Sequence, residues 1–229
     1  MSKKRKKLRH IPNGIILGFD EVNNGFNLPN LNPHHRPSII VVGYMMPDTG
    51  RACYGSQPFE KKGSIFSQGK NGLDRALRRG RTYLSEHPDF LYTTIPKIMV
   101  EKSPLCLIKG NAIAALTFAF FLKYNLNPSK TQVIFDGVDR EVHSNHLESV
   151  LEMWFKKADL NVPHLYKPHA DDRVCAVRKA DRIAYYLAGI SFLGNKHKWP
   201  YRHRKIDMKR LDELAIRVAE RDLVEYPEP

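Results

Sequence analysis

The chain is short of several residue types, and each shortage narrows what it can do. Only three of its 229 residues are cysteine, Cys53, Cys106 and Cys175. They are odd in number, far apart and form no CxxC pair. Neither a disulfide framework nor a cysteine zinc site is expected, and a reducing, cytoplasmic setting fits. No apolar run approaches a membrane span: the best, residues 112–122, is too short and carries Thr117. A membrane is therefore not an expected partner. No GxxxxGK phosphate loop occurs, and GSQPFEKKG does not qualify, so no ATP site is expected. His34, His35, His143, His146 and His203 follow no zinc-ligand spacing. Acids are scarce as well, 24 against 37 Lys and Arg, which leaves a net charge of +13. A surplus of cations is what a polyanion binder uses to displace condensed counterions, so nucleic acid is the expected partner. Solvated charge explains many basic proteins equally well, and function must be argued from the acids.

The length suits one domain with one core. The opening run of Lys3, Lys4, Arg5, Lys6 and Lys7 has no apolar stretch of secretory type behind it. Residues 1–12 are expected to be a disordered basic arm, a nuclear address if the source is eukaryotic, and residues 13–229 a single domain. Residues 14–19 and 38–45 read as apolar strands. Between them, NNGFNLPNLNPHHRP is loop punctuation, long enough to overhang a site. Residues 73–84 contain RALRRGR, a cationic helix face with Arg78, Arg79 and Arg81. Lys61 and Lys62 add charge upstream. Residues 95–100 read as a strand, restricted by Pro96 to a strand start or an edge. Residues 110–124, apolar nearly all round, predict a buried helix. A strand at 133–135 ends in Asp136, and helices follow at 144–158, around 177–187 with Gly189 as a stop, and at about 208–222. The tail from about residue 195, NKHKWPYRHRK, forms a basic extension in which Lys196, Lys198, Tyr201 and Arg202 suit phosphate contact and stacking. Early strands with interleaved helices make this an α/β protein with a central mixed sheet flanked by helices.

Asp20 and Glu21 fall where one apolar strand ends, and Asp136 where another ends inside VIFDG. Acids at strand ends can converge at a sheet rim on Mg²⁺ or Mn²⁺, and two such ions can assist an in-line phosphodiester cleavage. Taken singly, each of these acids reads first as an ordinary turn residue or helix cap; the ordered set points to a site. Asp181 lies at the edge of an apolar helix face, where a carboxylate is costly to bury alone.

These segments resemble ribonuclease HII. GFDEVNNG is similar to the GxDExGxG opening of that family; the strand IIVVGYM, the helix GNAIAALTFAFFLKYNL, the strand QVIFDG and the block HADDRVCAVRKADRIAYYLA then follow in the family's order. The resemblance implies a ribonuclease H-like fold and a metal-dependent nuclease acting on RNA-containing duplex such as an RNA:DNA hybrid. It places Asp20, Glu21, Asp136 and Asp171 on the family's metal-binding acids. VRKADRIAYYLAG also resembles the ADxIA helix of uncharacterised ribonuclease H-fold proteins, which puts Asp181 on the last ligand, so Asp171 and Asp181 both stand as candidates. Asn23 and Asn24 occupy the place of the family's Gly-Arg-Gly element, where they could meet 2′-hydroxyls. Its loss leaves two other readings, a non-catalytic nucleic-acid-binding protein on the same fold and a DNA nuclease of a mobile-element or defence system.

Overall fold

The computed structural model describes residues 10–23, 37–50, 69–96, 99, 102–137, 141–168, 170–193 and 201–221. The expected loop at 24–36, with Asn24, and the basic residues Lys61, Lys62, Lys196 and Lys198 lie outside them.

Five strands form one sheet: β1 Ile15–Asn23, β2 Pro37–Pro47, β3 Phe90–Pro96, β4 Thr131–Gly137 and β5 His164–Pro168. Their spatial order is β3-β2-β1-β4-β5. The β1–β2 and β2–β3 pairs are antiparallel, and the β1–β4 and β4–β5 pairs are parallel. Two cores follow from the strand period of two. Leu17 and Phe19 of β1, Ile39 and Val41 of β2, and Val133 and Phe135 of β4 share one apolar cluster. It is completed by the helices α2 Leu105–Tyr124, α3 Glu141–Lys157 and α5 Leu211–Arg221. Ile40, Val42 and Ile134 belong to the opposite cluster, shared with α1 Gly69–Glu86 and α4 Cys175–Leu193. The α/β architecture with a mixed sheet between helices is the one expected from the sequence.

Several element readings change. The first strand does not stop before Asp20 but runs on to Asn23, because β2 continues to pair with it as far as Asn23 opposite Ile39. The third strand lies earlier than expected: FLYTTIP is the strand, and Pro96, which has no N–H to donate, stands at its end. Strand β5 was not foreseen; HLYKP pairs with β4 although it lacks a clean alternation. Helix α4 continues through Gly189, which does not stop it. Helix α2 extends five residues upstream of the expected start, from Pro104, whose carbonyl accepts from the amides of Leu107 and Ile108. At 20 residues it is long and apolar enough to cross a bilayer, but its side chains from Ile108 to Phe121 are buried almost without break inside the protein. Interior burial on all sides accounts for its composition. Cys106 is free and Cys175 is disulfide-bonded, so one pairing exists where no framework was expected.

Outside the regular elements, residues 201–206 tie down the sheet edge. The Ile206 amide donates to the Tyr92 carbonyl at 2.8 Å, and Thr93 Oγ1 donates to the Ile206 carbonyl at 2.8 Å. This covers part of an edge that would otherwise offer unpaired backbone groups.

Gly18 sets how closely α4 lies on the sheet. A Cβ at this position would stand 2.3 Å from the Ala176 carbonyl carbon and 2.4 Å from the Val177 nitrogen, both of them helix backbone that cannot rotate aside. Gly18→Ala should therefore cost about 1–3 kcal/mol through overpacking. Urea unfolding checks this, and a change within experimental error would show that α4 is free to shift.

Candidate metal centre

Alternation along β1 sends its two acids to different faces. Leu17 and Phe19 point into the core beneath α2, and Glu21 continues that series. Ile16 and Val22 pack against the α4 core, and Asp20 lies between them in the same phase. On β4, Val133 and Phe135 share the α2 side and Ile134 the α4 side, which turns Asp136 toward α4. The β1–β4 ladder ends at Phe19 opposite Phe135, so Asp20 and Asp136 come next, side by side, where the pairing stops. Asp181 arrives from above. It is 5% exposed on α4, flanked by Ala180 and Ile183 of the apolar face.

Electrostatics records this convergence. The Asp20 carboxyl is held well above the usual aspartate value, first by burial, then by the negative charges of Asp181, Glu21 and Asp136 in that order. The amide of Glu21, donating to Asp20 Oδ1 at 2.6 Å, opposes the shift. Asp136 Oδ1 accepts from the Ala170 amide at 2.8 Å, which ties the end of β4 to the turn entering α4. Asp171 lies in that turn, residues Ala170–Asp172, and its backbone carbonyl accepts from Arg178 Nε at 2.8 Å. It is not among the charges that raise Asp20, whereas Asp181 leads them.

Glu21 has a partner that sequence reasoning missed. Lys109 of α2, 8% exposed, donates its ammonium to Glu21 Oε1. The two side chains are 10% and 17% exposed, so the pair is largely out of water. Breaking such a pair by removing one member costs about 3–5 kcal/mol, mainly because the other charge is left stranded. The signal available in the sequence was a lysine inside an otherwise apolar helix, since a buried ammonium requires a counter-charge.

Among the described residues, no three His, Cys, Asp or Glu side chains are drawn together closely enough to ligate one ion. Carboxylates without a cation between them repel, Glu21 is engaged by Lys109, and one Asp136 oxygen is engaged by the Ala170 amide. The donors nevertheless suit a hard divalent cation, being carboxylate oxygens from different elements whose mutual repulsion such a charge would relieve.

The expected nucleic-acid residues fall on the α1 side. Arg78, Arg79 and Arg81 are exposed on α1, and Arg202 is exposed in the segment along β3. Arg81 and Arg204 act together on Tyr201, pulling its hydroxyl down against the rise caused by burial. The Tyr201 ring packs 5.8 Å from that of Phe90, so it has a core role that the sequence did not suggest. Asn23 closes β1 opposite Ile39. Tyr83 of α1 lies within reach of the Asp181 charge and has the Arg182 guanidinium over its ring, 5.9 Å from the centroid. That brings α1 to the border of the acids.

The class defined by this fold is α/β, a mixed five-stranded sheet between two helical layers. Among solved structures, the chain is similar to the ribonuclease H2 from Pyrococcus horikoshii OT3, with a TM-score of 0.44 and 13% identity over 92% of this chain and all of that one. No family model and no curated protein matches the chain.

The sign of the Asp20 shift gives a stability prediction. The folded state keeps the Asp20 proton to higher pH than the unfolded chain, so metal-free stability falls as pH rises from the unfolded aspartate value, about 3.9, through the raised folded value. Asp20→Asn removes a repulsive charge that is present only above that window. In EDTA at pH 7 the variant should melt above the wild-type protein, with the gap closing toward pH 4. A lower melting temperature at pH 7 would contradict the electrostatic account.

Proposed function

We propose that the protein is a metal-dependent nuclease that hydrolyses phosphodiester bonds in nucleic acid, with RNA-containing duplex such as RNA:DNA hybrid as substrate. The observation that carries this reading is the convergence of Asp20, Asp136 and Asp181, from two strands and a helix, on one side of the sheet, with the Asp20 carboxyl pushed up by burial and by its acidic neighbours. Acids crowded this way destabilise the empty fold and are useful to a site that recruits positive charge. The residues that would hold Mg²⁺ or Mn²⁺ are drawn from these three aspartates and Glu21, which is paired with Lys109; Asp171 lies in the turn before α4. When bound, such a cation polarises phosphoryl oxygens and generates a nucleophile from water at neutral pH.

The chain's own residues supply the rest. The carboxylates act as ligands and orient the phosphate, and the cationic side chains of α1 and of residues 201–204 hold the strand by its phosphates. The net charge of +13 supports that partner. The sequence likeness to ribonuclease HII, running from GFDEVNNG through QVIFDG to HADDRVCAVRKADRIAYYLA, supports the RNA-containing substrate and the nuclease activity.

The deciding experiment offers labelled RNA:DNA hybrid, single-ribonucleotide duplex, RNA and DNA with Mg²⁺ or Mn²⁺. Cleavage should need the metal and should fall, in Asp20→Asn, Asp136→Asn and Asp181→Asn, by at least the roughly 10–100-fold that loss of a supporting metal partner costs. Tight binding without cleavage under either metal would replace this reading with a non-catalytic binder, and cleavage of all-DNA duplex alone would assign a DNA nuclease.

The basic surface makes a separate prediction. Arg81→Ala with Arg202→Ala should weaken binding across sequences alike and flatten the plot of log affinity against log salt, by about 0.9 for each lost contact to B-form DNA phosphate. An unchanged slope would place the strand elsewhere.

A further inference from the structure

We infer that Arg204, Arg81 and the Tyr201 hydroxyl form one anion seat beside strand β3, and that its ligand is a phosphate oxyanion. The seat deepens the proposed nucleic-acid contact, and it rests on that reading only in taking the phosphate from a strand. It is independent of the acids and of any metal they hold.

The guanidinium of Arg204 is fixed in place but under-satisfied. Its central carbon lies 4.7 Å from the centroid of the fully buried Phe90 ring, and the Tyr201 ring packs 5.8 Å from that same ring. The Arg204 amide donates to the Tyr201 carbonyl at 3.0 Å, and the Ile206 amide donates to the Tyr92 carbonyl, so the segment is pinned on both sides of the arginine. Arg204 Nε donates to His203 Nε2 at 3.2 Å, but among the described residues its Nη1 is buried with no acceptor. A buried donor that the protein leaves unmet calls for an acceptor from solution. The surroundings select an anion. Among the described residues neither Arg204 nor Arg81 has a carboxylate partner. Arg81 lies one turn before Leu84, which is buried in the same cluster as Phe90, so it stands at the rim of that cluster. Burial pushes the Tyr201 hydroxyl up, and the charges of Arg204 and Arg81 oppose it in that order, so both cations stand near this one oxygen. Two guanidinium groups and a hydroxyl present donors from two elements. Phosphate, whose oxygens accept in more than one plane, can meet them together. Partners already held in place lose little freedom when it arrives.

The test follows the arginine Nε–H signals by NMR in isotopically labelled full-length protein, titrated with inorganic phosphate at constant ionic strength in EDTA. Beside it, binding of a labelled RNA:DNA hybrid is measured against salt, also in EDTA. Phosphate should shift the Arg204 signal saturably. Arg81→Gln, at an exposed position, should weaken that titration about two- to fivefold, the range for an exposed charge pair. Arg204→Gln, read from the Arg81 signal, should weaken it by about tenfold or more, the worth of a hydrogen bond to a charged group. On the hybrid, Arg204→Gln should flatten the plot of log affinity against log salt by roughly one unit, while the charge-matched Arg217→Gln on α5 leaves it as in wild-type protein. Arg81→Gln is readable even if Arg204→Gln fails to fold. A saturable phosphate shift with an unchanged hybrid slope keeps the seat and assigns it to free phosphate. No saturable shift at Arg204, or one indifferent to Arg81→Gln, overturns the seat even where the hybrid still binds. Failure of the hybrid to bind wild-type protein overturns the nucleic-acid partner instead, and the phosphate titration still decides the seat.

Discussion

Carboxylates gathered under a helix repel one another, and in this protein that repulsion is sustained by the closeness of α4 to the sheet. The helix backbone at Ala176 and Val177 lies so near β1 that only glycine fits at residue 18. One turn further along, the same approach carries Asp181 over Asp20 and Asp136. The apolar contacts of Val177, Ala180, Ile183, Ala184 and Leu187 with the sheet hold the helix there. Burial of a Val or Leu side chain is worth about 1.5–3 kcal/mol, so a helix face of this kind outweighs the electrostatic cost of the acids it imposes.

The two faces of the sheet handle negative charge differently. On the α4 face three aspartates stand together and the carboxyl of Asp20 responds by holding its proton more tightly. On the α2 face Glu21 is neutralised by a lysine from within the apolar helix. One dipeptide in β1 thus leaves the sheet on both faces, although the charge of Glu21 still acts on Asp20, ahead of that of Asp136.

The positive surface is arranged at the border of that negative centre. Helix α1 presents Arg78, Arg79 and Arg81 to solvent and brings Tyr83 near Asp181. Residues 201–206 pin themselves to β3 through Tyr92 and Thr93 and bring Arg204 and Arg81 toward Tyr201. Basic side chains and acidic ones thus meet along one border of the fold.

Much of this was legible along the chain. The apolar runs of β1 and β2, the all-round apolar character of α2 and the VIFDG strand end announced a mixed α/β sheet, because period and composition are local properties. The chemical character of Asp20, Asp136 and Asp181 was legible for the same reason, as acids adjoining apolar segments. Strand β5 was not, since HLYKP carries no alternation of its own and is a strand only because β4 pairs with it. Nor could local pattern choose between Asp171 and Asp181, which lie ten residues apart on either side of the start of α4. The direction of the helix across the sheet brings Asp181 to Asp20. The division of Asp20 from Glu21 was implicit in the strand period, but only if the strand was known to continue past them, and that was decided by β2 pairing as far as Asn23. The Lys109–Glu21 pair joins residues 88 positions apart. The sequence determined that a buried lysine would need an anion; the packing of α2 on β1 decided which one, because a counter-charge is chosen by proximity in the folded chain.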